Sequence, residues 1–140
     1  MKGIDENLLT DAELWYEYVF KLPSDFQIIY TIIILDWQVN NGGFHQYFFN
    51  AYGQFAFLTI KNSELIKAVE HKTLLEKALK KTNSDKFSEV DFRKLIYHRK
   101  LKIIVEFENK LFKQLDDLDT QYYDLKEDLR QLYVNFISHS

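Results

Sequence analysis

The sequence predicts an all-α fold, a single-domain helical bundle of about six to eight helices with a central apolar helix and a Gly-Gly corner. Three observations carry that prediction. The 140 residues include one Pro and four Gly, too little punctuation for a many-turned β-sandwich. Apolar residues, 46% of the chain, recur at three- and four-residue spacing instead of alternating. Three Ser/Thr-x-x-Glu/Gln boxes, at Thr10–Glu13, Ser24–Gln27 and Thr73–Glu76, mark helix starts. With 12 Phe and 9 Tyr, the core is expected to be built from large pieces, each ring burying roughly 150–250 Å².

Taken in order, Thr10 is expected to cap a helix carrying Leu14, Trp15, Tyr18, Val19 and Leu22, stopped by Pro23. Ser24 then opens a second helix to about Val39. Its β-branched Ile28, Ile29, Ile32, Ile33 and Ile34 favour a strand when taken alone. The serine cap, the length and the lack of alternation favour a helix, and one apolar on all sides belongs at the centre. Asn41-Gly42-Gly43 is a break, because glycine admits positive φ and close backbone approach. Phe44, Tyr47, Phe48 and Tyr52 share one face of a short helix ended by Gly53.

A helix over 55–70 follows, with an interruption near Lys61-Asn62-Ser63, and Thr73 starts another to about Lys81. Residues 82–86 are polar and form a surface loop. Ser88-Glu89-Val90-Asp91 restarts a helix that runs, straight or bent, to about Leu118. Asp116-Asp117-Leu118-Asp119 is an acidic break. The last helix carries Leu125, Leu129, Leu132, Tyr133, Phe136 and Ile137, with Asp124 and Glu127 at its start.

The chemistry these residues exclude is extensive. Without cysteine there is no disulfide or thiolate, which suits a reducing compartment. The longest apolar run, Ile28–Leu35, is eight residues, against about 20 for a membrane span, and no signal peptide opens the chain. A cytoplasmic protein without membrane contact is expected. His45, His71, His98 and His139 are widely separated, with no ligand-spaced pair, so neither a metal nor a cofactor is expected. No nucleophile elbow, S-x-x-K signature or phosphate-cradling glycine pattern occurs, and no catalytic residue is assigned. The expectation is a protein that is not an enzyme. The amide-rich corner keeps an alternative open: Asn41, His45, Gln46 and Asn50 brace backbone left unpaired by helix ends, or line a pocket that binds a ligand or works as an enzyme.

Charge is unevenly spread. Residues 1–60 hold 2 basic and 7 acidic side chains, residues 61–113 hold 14 and 8, and residues 114–140 hold 2 and 6. The acidic ends suggest solvated helix faces or one surface for a basic partner. Direct nucleic-acid binding through Lys77, Lys80, Lys81, Lys86, Arg93, Lys94, Arg99, Lys100 and Lys102 is disfavoured by the net charge of −3 and the interspersed acids.

The stretch Asn40–Asn50 resembles the bacterial DNA-mimic-protein family, a domain of unknown function with the signature N-G-G-F-x-Q-[YF]-F-x-N and a glycine shortly after. Asn41, Gly42, Gly43, Phe44, Gln46, Tyr47, Phe48, Asn50 and Gly53 fill those positions. Leu115-Asp116-Asp117-Leu118-Asp119, Tyr122-Tyr123 and Asp128-Leu129 through Tyr133 resemble the family's ending, so the likeness spans residues 30–137. The resemblance implies an all-α fold and a protein-binding role, in which surface carboxylates imitate DNA phosphates, occupy a helix-turn-helix regulator and act from a homodimer. It places the candidate partner-binding acids at Asp5, Glu6, Asp11, Glu13, Glu17, Asp116, Asp117, Asp119, Asp124, Glu127 and Asp128. A toxin is the alternative partner, which would make the chain an immunity or antitoxin-type inhibitor.

Overall fold

A computed structural model describes residues 4–139, with side chains described from residue 12 onward. Among the described residues the chain is all helical, with no strand. Helices α1 (Ile4–Phe20) and α2 (Ser24–Phe49) lead into a 3₁₀ turn at Tyr52–Phe55. Then come α3 (Ala56–Leu65), α4 (Val69–Thr82), α5 (Glu89–Tyr97), α6 (Lys102–Val105), α7 (Asn109–Tyr123) and α8 (Leu129–Ser138). None of the described helices is long and apolar enough to cross a membrane.

The isoleucine run is a helix, and it is the centre of the bundle. Ile28, Ile32, Leu35 and Val39 are each no more than 1% exposed, and α2 packs on α1, α3, α6, α7, α8 and the 3₁₀ turn. Tertiary burial overrides the β-propensity of its side chains. The main core gathers Phe44, Tyr47 and Phe48 from the end of α2 with Leu75, Phe92, Ile96, Ile104 and Leu115 from four later helices.

Helix starts differ from the expected caps. Thr10 lies inside α1, which is already helical at Ile4; the stretch from Ile4 to Leu9 holds no Gly or Pro to prevent it. Ser24 is the first residue of α2 instead of its cap, and Gln27 donates its side-chain amide to the Phe20 carbonyl at the end of α1. Thr73 also lies within a helix, α4, and its hydroxyl donates to the Val69 carbonyl at 2.8 Å. Ser88 does cap, accepting from the Asp91 N–H at 3.2 Å.

Helix ends differ for a different reason. The helix expected over 55–70 runs through Lys61-Asn62-Ser63 without the expected interruption and breaks at Lys67 instead, and the one expected over 88–118 breaks at Arg99 and Phe107, with φ of 65°, 57° and 53°. At each break two amides reach back over the last turn. Lys67 and Ala68 donate to Glu64 and Ser63, Arg99 and Lys100 to Ile96 and Leu95, and Phe107 and Glu108 to Ile104 and Ile103. This is the Schellman pattern, which usually employs glycine. Gly53, expected to end a helix, lies within the 3₁₀ turn; α2 stops at Phe49, and Ala51 takes the left-handed conformation. Gly53 is small because a Cβ there would stand 2.9 Å from the Phe48 Cα.

The acidic break at Asp116–Asp119 does not exist. Those residues lie within α7, whose buried Leu111, Leu115, Leu118 and Tyr122 form one stripe that keeps the helix continuous. The last helix starts at Leu129, with Asp128 accepting from the Gln131 N–H at 3.0 Å. Leu125 precedes it, and Asp124 ends α7.

A left-handed residue with a Cβ costs about 1–2 kcal/mol, offset partly by glycine's larger unfolded-state entropy. Lys67→Gly is therefore expected to stabilise the protein by about 0.5–1 kcal/mol in urea unfolding. A loss of stability would contradict this account of the α3 end.

Candidate functional site

The corner anticipated at Asn41-Gly42-Gly43 is a kink within α2. Gly43 alone leaves helical geometry, at φ 81° and ψ 177°. A residue so placed cannot continue the ladder, and the next amide, on Phe44, must find another acceptor. Asp119 of α7 supplies it, its Oδ1 accepting from the Phe44 N–H at 2.8 Å. The carboxylate is in effect an N-cap, borrowed from another helix, for the second half of α2. It lies so close that a Cβ on Gly43 would overlap Asp119 Oδ2. Burial pushes the Asp119 carboxyl up to about 6, with Asp116's charge adding and the Phe44 N–H opposing.

Two tyrosines extend the contact between α7 and α2. Tyr122 donates to Asp36 Oδ1 at 2.6 Å, and Tyr123 donates to the Val39 carbonyl at 2.9 Å. Burial raises the Tyr122 hydroxyl well above its ordinary value, reinforced by the Asp36 charge and hydrogen bond. Across the kink, Gln38 Oε1 accepts from Gln46 Nε2 at 3.1 Å and from Asn50 Nδ2 at 3.5 Å. These amides brace the corner through a side chain and not through backbone as expected.

His45 is buried and its Nε2 lies 3.1 Å from the Ile104 carbonyl. Burial holds it below its ordinary value, against the pull of that carbonyl. Its ring stacks on Phe107 at 4.5 Å, which anchors the left-handed break between α6 and α7. Asn41 is exposed. The four corner residues Asn41, His45, Gln46 and Asn50 therefore do not converge on one space. Among the described residues no three metal-ligating side chains converge either.

The open spaces lie elsewhere. An apolar trough of about 650 Å³ runs between α1 and α2, lined by Trp15, Tyr18, Leu22, Phe26, Ile33 and Trp37 among others. Ile33 and Trp37 also line a second trough toward Leu129 and Tyr133 of α8. Tyr18, Phe26 and Trp37 are 69%, 64% and 70% exposed. Helical spacing assigned Tyr18 to a helix face without showing its exposure, and aromatic identity gave no sign that Phe26 and Trp37 face outward.

A family model described as DMP19-like protein matches residues 20–140. The chain belongs to the DMP19-like family. This is a family of DNA-mimic proteins, as the Asn41–Asn50 motif and the acidic ending imply. Neither curated proteins nor solved structures gave a match.

In this DMP19-like protein the carboxylates singled out from the sequence divide by role. Asp5, Glu6 and Asp11 have side chains outside the described residues. Glu13 and Glu17 are exposed on α1, and Glu13 accepts from the Tyr97 hydroxyl of α5 at 3.2 Å. Asp116, Asp117, Asp124 and Asp128 are exposed along α7 and the turn into α8. Asp119 and Glu127 are turned inward. Glu127, expected at the start of the last helix, caps α4 instead: it accepts from the Glu70 and His71 N–H groups at 3.1 and 2.9 Å and meets His71 Nδ1 at 2.7 Å. Burial pushes the Glu127 carboxyl upward, but these bonds outweigh it and hold it below its ordinary value.

Gly43→Ala is expected to destabilise the protein by at least about 1–3 kcal/mol, since it adds a Cβ at positive φ against a carboxylate. Urea unfolding of the two proteins checks it. Asp119 has a folded value of about 6, above its unfolded value, so its contribution is complete at low pH and lost as pH rises through about 6. Asp119→Asn keeps the acceptor oxygen but removes the proton. The stability difference should shift toward the unsubstituted protein between pH 6.5 and about 4.5, and a pH-independent difference would refute the assignment.

Proposed function

We propose that this chain is a non-enzymatic interaction module that pairs with a second copy of itself and inhibits a DNA-binding protein. The observation that carries the reading is the aromatic face of α1 and α2, with Tyr18, Phe26 and Trp37 about two-thirds exposed. Three such rings leave roughly 300–500 Å² of apolar surface in water. Leu14, one turn before Tyr18 on α1 and 52% exposed, adds to it. That is about half of the roughly 800 Å² per partner of a standard interface, gathered along one trough.

A second copy is the occupant proposed. The lining of the α1–α2 trough holds no charged side chain, so there is little to select a differently charged partner. A two-fold axis would set the surface holding Trp37 and Phe26 in one copy against the same surface of the other, as an isologous interface requires. Family membership supports the same choice, because the resemblance implies a dimer.

Asp116, Asp117, Asp124 and Asp128 are the carboxylates proposed to meet the Lys and Arg side chains of a DNA-binding protein. Competing for cations that otherwise hold phosphates makes such binding salt-sensitive. The engagement of His45 by Ile104, and of Gln46 and Asn50 by Gln38, supports the non-enzymatic side of the reading.

Sedimentation equilibrium at micromolar protein is expected to show a dimer, with Trp37→Glu monomeric and still helical by circular dichroism. A monomeric unsubstituted protein would overturn the pairing. For the acidic surface, a DNA-binding protein captured from the native cytosol should lose its operator in a shift assay as this chain is added. Asp116→Lys with Asp117→Lys should abolish that displacement; displacement unaffected by the exchange would exclude these carboxylates.

A further inference from the structure

A groove of about 980 Å³ lies between α4 and α7. Lys77, Lys80 and Lys81 recur at i, i+3 and i+4, which puts them on one face of α4, and Lys110 in the first turn of α7 lines the same space. The deeper wall is apolar, with Leu111 and Leu118 only 4% and 3% exposed. Gln114 and Gln121 of α7 add amides along one side.

Among the described residues none of the four ammoniums is held in an ion pair; the pairs there join Lys72 to Glu64 and His71 to Glu127. Two carboxylates line the groove. Glu108 is committed to the start of α7, its Oε1 accepting from the Leu111 N–H at 2.6 Å, which leaves Asp117 as the free one. The groove is thus net positive in a protein that is net negative.

Its shape selects the class of anion. A nucleic-acid strand needs a positive track along many phosphates. Three cations of the basic middle are engaged elsewhere, Arg93 stacking on Tyr16 at 3.6 Å, Arg99 lying over Phe49 at 5.4 Å and Lys72 pairing with Glu64, while Lys86 adjoins Lys80 in a neighbouring hollow. The groove's volume lies at the upper end of the roughly 300–1,000 Å³ typical of small-molecule sites. Lysine ammoniums act on phosphate as point charges.

We propose that the α4–α7 groove binds a small multiply phosphorylated ligand, a nucleotide or an inorganic polyphosphate. Lys77, Lys80, Lys81 and Lys110 hold the phosphate chain. With a nucleotide, the base rests on Leu111 and Leu118. The site is separate from the aromatic face and does not depend on the pairing proposed above.

The test is calorimetric titration of the full chain with ATP and, separately, with tripolyphosphate, at low and moderate salt. Saturable binding of at least one is expected, weaker at higher salt, and at least about tenfold weaker in Lys80→Ala/Lys110→Ala, a loss of about 1.4 kcal/mol. Lys94→Ala, an exposed change on α5, should leave binding unaltered. Tighter binding of ATP assigns the ligand to nucleotides, and equal binding assigns it to the phosphate chain alone. The proposal is overturned by absence of saturable heat with both, or by equal loss in Lys94→Ala, which would show diffuse charge attraction. Groove-dependent binding of a single-stranded oligonucleotide in place of both small anions would also overturn it. Both lysines are exposed, and circular dichroism checks that the double variant remains folded.

Discussion

The amide of Phe44 has no acceptor within its own helix, because Gly43 has turned the backbone away from it. Leaving such a group buried and unpaired costs about 1–3 kcal/mol, and a bond to a carboxylate is worth about as much. Asp119 settles that account in favour of the fold. The direction of the second half of α2 follows from it, and with that direction the placement of Phe44, Tyr47 and Phe48, each no more than 1% exposed. These rings are where α2 meets Phe92 and Ile96 of α5 and Leu115 of α7, so two later helices pack on a surface that one hydrogen bond aims.

The acidic residues of the last third therefore serve two ends. Asp119 and Glu127 face inward and complete helix starts on α2 and α4, where the positive end of each helix favours a negative charge. Asp116 and Asp117, on the same helix as Asp119, face water and remain free to meet a partner. The surface therefore carries fewer outward carboxylates than the composition suggests. The basic wall of α4 adds a region of opposite sign, with Lys77 and Asp117 lining the same groove.

Much of the fold was legible because local patterns and tertiary packing agree. The helical spacing around Ile28–Val39, the glycine corner and the Ser88 cap all appear where periodicity and capping chemistry put them. The family motif was legible too, since its glycine is needed at Gly43 and its aromatic positions fill the core. The breaks at Lys67, Arg99 and Phe107 were not, because no glycine marks them and the left-handed cost is met by two hydrogen bonds each. The capping boxes misled at Thr10 and Thr73, where a good helix former upstream let the helix begin earlier. The role of Asp119 lay beyond any local pattern, since its partner is 75 residues away. The outward placement of Trp37 and Phe26 was not legible either, because a sequence cannot say which side of an all-apolar helix lacks a neighbour.

That separation has a bearing on how the chain acquires its structure. The kink in α2 lies in the first third, yet the group that completes it arrives 75 residues later, and the carboxylate at the head of α4 arrives 56 residues after its amide. During synthesis, α1 to α4 leave the ribosome with two helix starts still open. Their native geometry becomes final only when α7 and the turn after it are in place. For a helical bundle this is an unusually non-local way to close, and non-local closure slows folding. A nascent chain halted before Asp119 would hold most of its aromatic residues without the bond that directs them inward.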